Sequence, residues 1–231
     1  VVSAAWVAVD AGGCADENHP GGLWQEVGVR LQSLQRNWLV AALFGLGLLF
    51  AVQGSWIQAK ALLSQWLLQH SWQQSLADGE RHKPWPWADH WPVARLRVAS
   101  QNVDQIVLAG DTGNVLAFAP GYNPLSHKPG AGGTTVISAH RDTHFRFLQQ
   151  IRPGEQISVQ TVGGDFVYQV AELAVVDAGN SMLQLHETAD QLLLVTCYPF
   201  DALQAGGNLR FVVIANRVRQ LQEVNRRVVH L

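Results

Sequence analysis

Residues 38–57 carry no charged side chain, and this uncharged run limits what the chain can become more than any other feature. It reads Trp-Leu-Val-Ala-Ala-Leu-Phe-Gly-Leu-Gly-Leu-Leu-Phe-Ala-Val-Gln-Gly-Ser-Trp-Ile, and its only strongly polar member, Gln53, lies near one end. A bilayer core requires roughly 20 such residues in a helix. Trp38 and Trp56 bracket the run as an interfacial aromatic belt does. A buried helix of a soluble domain would be shorter and amphipathic. The run therefore reads as a membrane span. Arg30 and Arg36 precede it and Lys60 follows it, a bias that puts the N-terminal side in the cytoplasm. No small-residue cleavage site follows, so the span is expected to be an uncleaved signal anchor. This predicts a cytoplasmic tail over 1–37, a single pass through the inner (cytoplasmic) membrane over 38–57, and an extracytoplasmic or periplasmic remainder.

The remainder is not uniform. All 9 tryptophans precede Pro92, so the chain changes character near Trp91-Pro92. Residues 59–76 continue as a helix, with Leu62, Leu63, Trp66, Leu67 and Leu68 apolar and Gln65, Gln69, Gln73 and Gln74 polar. Asp78-Gly79 stops it. The prolines and tryptophans of 84–92 exclude regular helix or central strand, and predict an extended linker packed on the next domain. Residues 58–91 thus form a helical stalk and a Trp/Pro linker. The net charge of -2 and the lack of any basic run exclude a nucleic-acid partner. Two cysteines, Cys14 and Cys197, are too few for a disulfide scaffold.

From residue 92 onward short apolar segments alternate with glycine- and proline-bearing turns. Strands are expected at 93–98, 106–108, 134–139, 155–162, 166–176, 191–196 and 209–215. One short helix is expected over 143–151, capped by Asp142 or Thr143. Many short strands with few helices point to an all-β barrel or sandwich over 92–216. Residues 217–231 are polar, with Arg217, Arg219, Arg226 and Arg227, and read as a surface tail.

The chemistry gathers at strand ends. His140 ends the segment 134–139, Cys197 ends the run Leu192-Leu193-Leu194-Val195-Thr196, and Arg210 opens the last strand. A lone cysteine at a strand end is most often a small core hydrophobe. If the last two strands pair as an antiparallel hairpin, however, Cys197 and Arg210 share one end of the domain. Alternation then puts Arg210, Val212 and Ile214 on one face and Leu209, Phe211 and Val213 on the other. The triplet His140-Arg141-Asp142 also occurs in the kinase catalytic loop, but the other kinase motifs are missing. His140, His144 and Cys197 leave a zinc site open as an alternative, with no obvious fourth ligand.

The stretches Ser138-Ala139-His140-Arg141-Asp142-Thr143-His144-Phe145 and Leu193-Leu194-Val195-Thr196-Cys197-Tyr198-Pro199-Phe200, followed by Leu209-Arg210-Phe211, resemble the sortase family. The family signature is Thr-Leu-X-Thr-Cys with an arginine about a strand-turn later; this chain has Leu193 in the first position. The endings look like branches outside class A, and the layout is most similar to sortases of proteobacteria. The single N-terminal anchor, with no second span, differs from the pilin-polymerising branch. The resemblance implies a closed β-barrel of about eight strands.

It also implies roles: Cys197 as nucleophile, His140 as acid/base and Arg210 as stabiliser of the transition state. Each residue type suits its role. A thiol attacks as thiolate beside a cation, histidine can supply that cation and then protonate a leaving amine, and arginine keeps its charge at any accessible pH. Asp142 is a candidate to orient His140, although capping of the following helix is the simpler reading. Thr196 is expected to pack or hydrogen-bond locally. The implied partners are a protein carrying a C-terminal LPXTG-like sorting signal, cleaved after threonine through a thioester, and an amine-bearing acceptor. No cofactor is expected, and no clustered carboxylates suggest calcium. A thiol hydrolase, or a catalytically silent barrel that binds a peptide tail, remain alternatives.

Overall fold

Within a computed structural model that describes residues 21–180, 188–202 and 206–218, with side chains from residue 37 onward, eight strands close into a barrel. The strands are β1 (Pro92–Val98), β2 (Val103–Ala109), β3 (Gly121–Tyr122), β4 (Thr134–Ser138), β5 (Gln156–Thr161), β6 (Gly164–Asp177), β7 (Gln191–Cys197) and β8 (Leu209–Arg217). Around the barrel they follow the order β1-β2-β3-β4-β7-β8-β6-β5. The pairs β2–β3 and β4–β7 are parallel and the other six are antiparallel. Closure leaves no strand edge exposed.

The register explains the unbroken apolar run of β7. That strand lies between parallel β4 and antiparallel β8, with both its faces covered. Leu192 and Leu194 point into the barrel, where they join Ile137, Val213, Ala215, Leu96 and Tyr168. Leu193 points outward into a second cluster with Val136 and Val212, flanked by Val176, Val195 and Ile214. A strand buried on both faces needs apolar residues at every position rather than at alternate ones. Val212 and Ile214 share this outer cluster, and Val213 lies in the interior, as the alternation along β8 predicts.

Several elements depart from the expectations. The helix expected over 143–151 is a series of turns followed by one 3-10 turn, Arg146–Gln149. Phe145 stands at its cap position, and no side chain caps it, so neither Asp142 nor Thr143 does so. Burial of Phe145 and Leu148 in the barrel core pulls this segment against the interior instead of letting a full helix form. The sequence pattern signals neither the two-residue strand β3 nor the short helix α2 (Gly113–Leu116), because too few residues carry either period. Strand β8 extends to Arg217, which pairs with Tyr168 of β6 rather than starting a tail. Residues 219–231, the rest of the expected tail, lie outside the described residues, as does Cys14.

Two compact units divide at Ala59 and Lys60. Helix α1 spans Gly21–Asp78, and residues 59–76 continue it as their sequence pattern suggested. In the first unit, Trp38, Leu43, Phe44, Phe50 and Trp56 are all exposed on it. The stretch Asn37–Asp78 includes a window long and apolar enough to cross a membrane. In the second unit, the C-terminal part of α1 packs on the outside of the barrel. Leu68 and Trp72 are fully buried against Ile106 and Leu108 of β2 and Val115 of α2. Gln65 Nε2 donates to the Phe118 carbonyl at 2.9 Å.

The linker after α1 is held by aromatic contacts. Trp85 packs edge-on against both His90 and Phe118, and the Arg81 guanidinium sits 5.1 Å from the centre of the Trp91 ring. His90 is buried and shares a 2.9 Å hydrogen bond between its Nδ1 and Oδ1 of Asp89. The short Pro-Trp-Pro-Trp segment folds this ring inward, while Trp87 stays 83% exposed.

Candidate active site

The site follows from strand register. β4 and β7 run parallel, with Val136 opposite Leu193 and Ser138 opposite Val195. Ala139 N–H continues the ladder by donating to the Val195 carbonyl at 3.2 Å. The same offset carried two residues further brings His140 level with Cys197. On the other side, β7 and β8 run antiparallel with Cys197 opposite Arg210. Cys197 and Arg210 therefore stand side by side on neighbouring strands, and His140 joins their row from the turn that leaves β4 at the same end of the barrel. Side-chain alternation puts Cys197 and Arg210 on the outward face, above the cluster of Val136, Leu193 and Val212.

The geometry of the cysteine–arginine pair can be refined. Tyr198 N–H donates to the Leu209 carbonyl at 3.1 Å, which makes Tyr198 and Leu209 the hydrogen-bonded pair. Cys197 and Arg210, one step along, are then the non-hydrogen-bonded pair, whose side chains stand closest in an antiparallel ladder. Cys197 is a free, half-buried thiol and Arg210 is half-buried. Arg210 Nη1 donates to the carbonyls of Gly207 at 2.8 Å and Leu209 at 2.9 Å. These bonds anchor one nitrogen of the fork and leave Nε and Nη2 to meet an incoming oxygen.

His140 is exposed, at the start of the turn that leaves β4. Its carbonyl accepts from Phe145 N–H at 3.0 Å. Both neighbours of His140 are tied towards β7 and the chain beyond it. Thr196 is buried and turned inward, and its Oγ1 donates to the Ala139 carbonyl at 2.7 Å. Arg141 Nη2 donates to the Ala202 carbonyl at 2.9 Å. Asp142 is exposed in the turn and makes no hydrogen bond to His140 among the described residues.

His144, half-buried in the same turn, has its pKa lowered by burial and then by the nearby positive form of His140. It is therefore held neutral near pH 7, and its backbone carbonyl accepts from Gln105 Nε2 at 2.9 Å. Among the described residues no three His, Cys, Asp or Glu side chains cluster so as to hold a metal ion, and His140, His144 and Cys197 do not form such a group. Beyond the cysteine, Tyr198, Phe200 and Phe211 form an aromatic wall, with Phe200 and Phe211 centred 5.2 Å apart.

A cavity of about 750 Å³ opens at the other end of the barrel, lined by Trp91, Val107, Lys128, Val162 and Phe166 among others. The strand directions place it far from the row: Cys197 pairs with Arg210 at the start of β8, whereas the end of β8, Arg217, pairs with Tyr168 beside Phe166. The row lies on an outer face, where a peptide can lie along strands without entering a closed pocket.

The sortase domain family model matches residues 96–218, just over half of the chain and all three members of the row. The chain belongs to the sortase family. It is 29% identical over 126 residues to Sortase D of Bacillus subtilis (strain 168), a match that covers 53% of this chain and 62% of that relative. The chain thus spans less than two thirds of that sortase's length. Among solved structures, a Clostridium perfringens Sortase D5 transpeptidase superposes with a TM-score of 0.56 at 19% identity, covering 68% of this chain and 99% of that one. Sortase A from Corynebacterium diphtheriae superposes with a TM-score of 0.51 at 24% identity, covering 58% of this chain and 63% of that one. These likenesses show the sortase barrel as the shared fold.

The sequence picks out the three residues of the row in this sortase from their strand-end positions and their resemblance to the family. It does not pick out Arg141 as a structural tie. Its bond partner, the Ala202 backbone, is 61 residues away and carries no side-chain signal.

Proposed function

We propose that this chain is a membrane-anchored cysteine transpeptidase, with Cys197 as nucleophile, His140 as acid/base and Arg210 as stabiliser of the oxyanion. The observation that carries this reading is the register that aligns Cys197 with Arg210 on one side and with the exit of β4 on the other. In the proposed reaction a Cys197 thiolate beside the His140 imidazolium attacks the carbonyl of the scissile bond. Negative charge develops on that carbonyl oxygen. The free donors of the Arg210 guanidinium stabilise it there. His140 gives its proton to the leaving amine. The product is a thioester at Cys197, and an acceptor amine, deprotonated by His140, resolves it into a new amide bond.

The substrate on this reading is a protein with a C-terminal LPXTG-like signal, cut between threonine and glycine. The outward row suits an extended peptide. The apolar helix supports an anchor over residues 38–57 with 1–37 in the cytoplasm, the stalk and linker over 58–91, and the catalytic barrel over 92–216 outside the cytoplasmic membrane. The family's protein substrates and the anchor support this assignment.

The test is incubation of the full chain with an LPXTG-like peptide, with and without an amine acceptor, followed by mass spectrometry. A peptide joined to the amine supports transpeptidation. Cleavage to the free acid alone, with the amine present, would show a hydrolase, and no cleavage would remove this substrate class.

A further inference from the structure

We propose that Arg141 is a positioning residue for His140, acting by locking the turn after β4 to the connection between β7 and β8. This rests on the reading of His140 and Cys197 given above. The sheet itself does not reach His140. The last ladder bond between β4 and β7 is the one from Ala139 N–H to the Val195 carbonyl, and Ser138 and Val195 are the last paired residues. Beyond them the imidazole hangs on a turn that leaves the barrel. This side chain is exposed, so the turn's own backbone and ties have to set its position.

Two side chains supply what the ladder does not. Thr196 Oγ1 holds the Ala139 carbonyl, immediately before His140, from β7. Arg141, immediately after His140, reaches out of the turn, and its Nη2 donates to the Ala202 carbonyl at 2.9 Å. Ala202 belongs to the same connection that leads from Cys197 to Arg210. The residue before His140 and the residue after it are thus both fastened to the chain that carries the other two members of the row. Within the turn, Phe145 N–H holds the His140 carbonyl, and burial of the Phe145 ring roots that bond in the core. A planar guanidinium suits the task, because it keeps its charge and donates along fixed directions to a carbonyl. Misplacement of a catalytic group by about 1 Å can cost about 100-fold in rate. The loss of this tie therefore acts on turnover rather than on binding.

The experiment compares full-length wild type, Arg141→Ala and Arg141→Lys in detergent micelles. It uses steady-state transfer of an LPXTG-like peptide to an amine, its pH profile, and amide hydrogen exchange over residues 140–145 and 198–202. In Arg141→Ala, kcat is expected to fall by about 100-fold with KM changed by no more than about threefold. The pH limb assigned to His140 should shift, and exchange should speed up in both segments while the core of β7 stays protected. Arg141→Lys should recover part of the loss, because an ammonium can still donate to the Ala202 carbonyl. Wild-type kcat in Arg141→Ala overturns the proposal, and so does a loss of kcat accompanied by unchanged exchange in both segments. A Cys197→Ala control separates the two levels: transfer that survives in it overturns the catalytic reading, whereas the exchange data still judge the Arg141 tie.

Discussion

Cys197 and Arg210 face each other across β7 and β8 as the non-hydrogen-bonded pair next to Tyr198 and Leu209. That relationship sets a thiol and a permanent cation side by side on rigid strands, while the third member of the row arrives on a turn. It predicts that the arginine cannot be exchanged for lysine. Arg210→Lys keeps the charge but loses the fork that is anchored on the Gly207 and Leu209 carbonyls. Turnover of an LPXTG-like peptide is expected to drop by about 100-fold or more, in the range seen when an oxyanion donor is removed. The check is kcat/KM by chromatographic assay; a value within threefold of wild type would take Arg210 out of the reaction.

Thr196 tests the inner half of the site. Its hydroxyl is buried and donates to the Ala139 carbonyl at 2.7 Å. Thr196→Val keeps the shape and removes the donor, leaving a carbonyl without that partner. Stability should fall by about 1–3 kcal/mol. Denaturant unfolding of the barrel measures this, and Thr196→Ser should retain most of the bond.

Much of this site was legible from residue order alone. A continuous apolar run that stops at a cysteine marks a doubly covered strand, and β7 is that strand. The arginine opening β8 could be set beside it because a hairpin fixes which residues meet. The His140 turn was harder to read. Asp142 and Thr143 offer cap chemistry, but the buried rings and side chains of Phe145 and Leu148 win, and the segment forms a 3-10 turn without a side-chain cap. The parallel pairing of β4 with β7 is invisible in sequence, since it joins segments 57 positions apart by register alone. The 14-residue strand β6, which pairs with both β5 and β8, shows only as a long half-buried stretch.

His144 gives the site a pH signature. Its pKa is lowered first by burial and then by His140. A histidine whose folded pKa lies below its unfolded value binds fewer protons when folded. Stability is then complete above the unfolded value, near 6.5, and declines as pH falls from there through the folded pKa. His144→Gln removes this term. The variant should lose less stability than wild type between about pH 7 and pH 5, measured by unfolding in buffers across that range. An identical pH slope in the two proteins would contradict the burial of the imidazole.

The attachment of α1 makes a separate prediction. Trp72 is fully buried between the helix and the outer side of β2. Trp72→Ala should cost about 3–5 kcal/mol, and should expose residues 60–78 to limited proteolysis before the barrel strands are cut. Proteolysis at the wild-type rate would show that the aromatic contact does not hold the helix on the barrel.

The central claim is that Cys197 carries the substrate as a thioester. The most direct measurement is the intact mass of the full chain, quenched in acid during turnover of an LPXTG-like peptide. The account predicts an adduct equal in mass to the peptide portion ending at threonine, located on Cys197, released by hydroxylamine and missing from Cys197→Ala. Transfer or cleavage of the peptide by Cys197→Ala at the wild-type rate would contradict it.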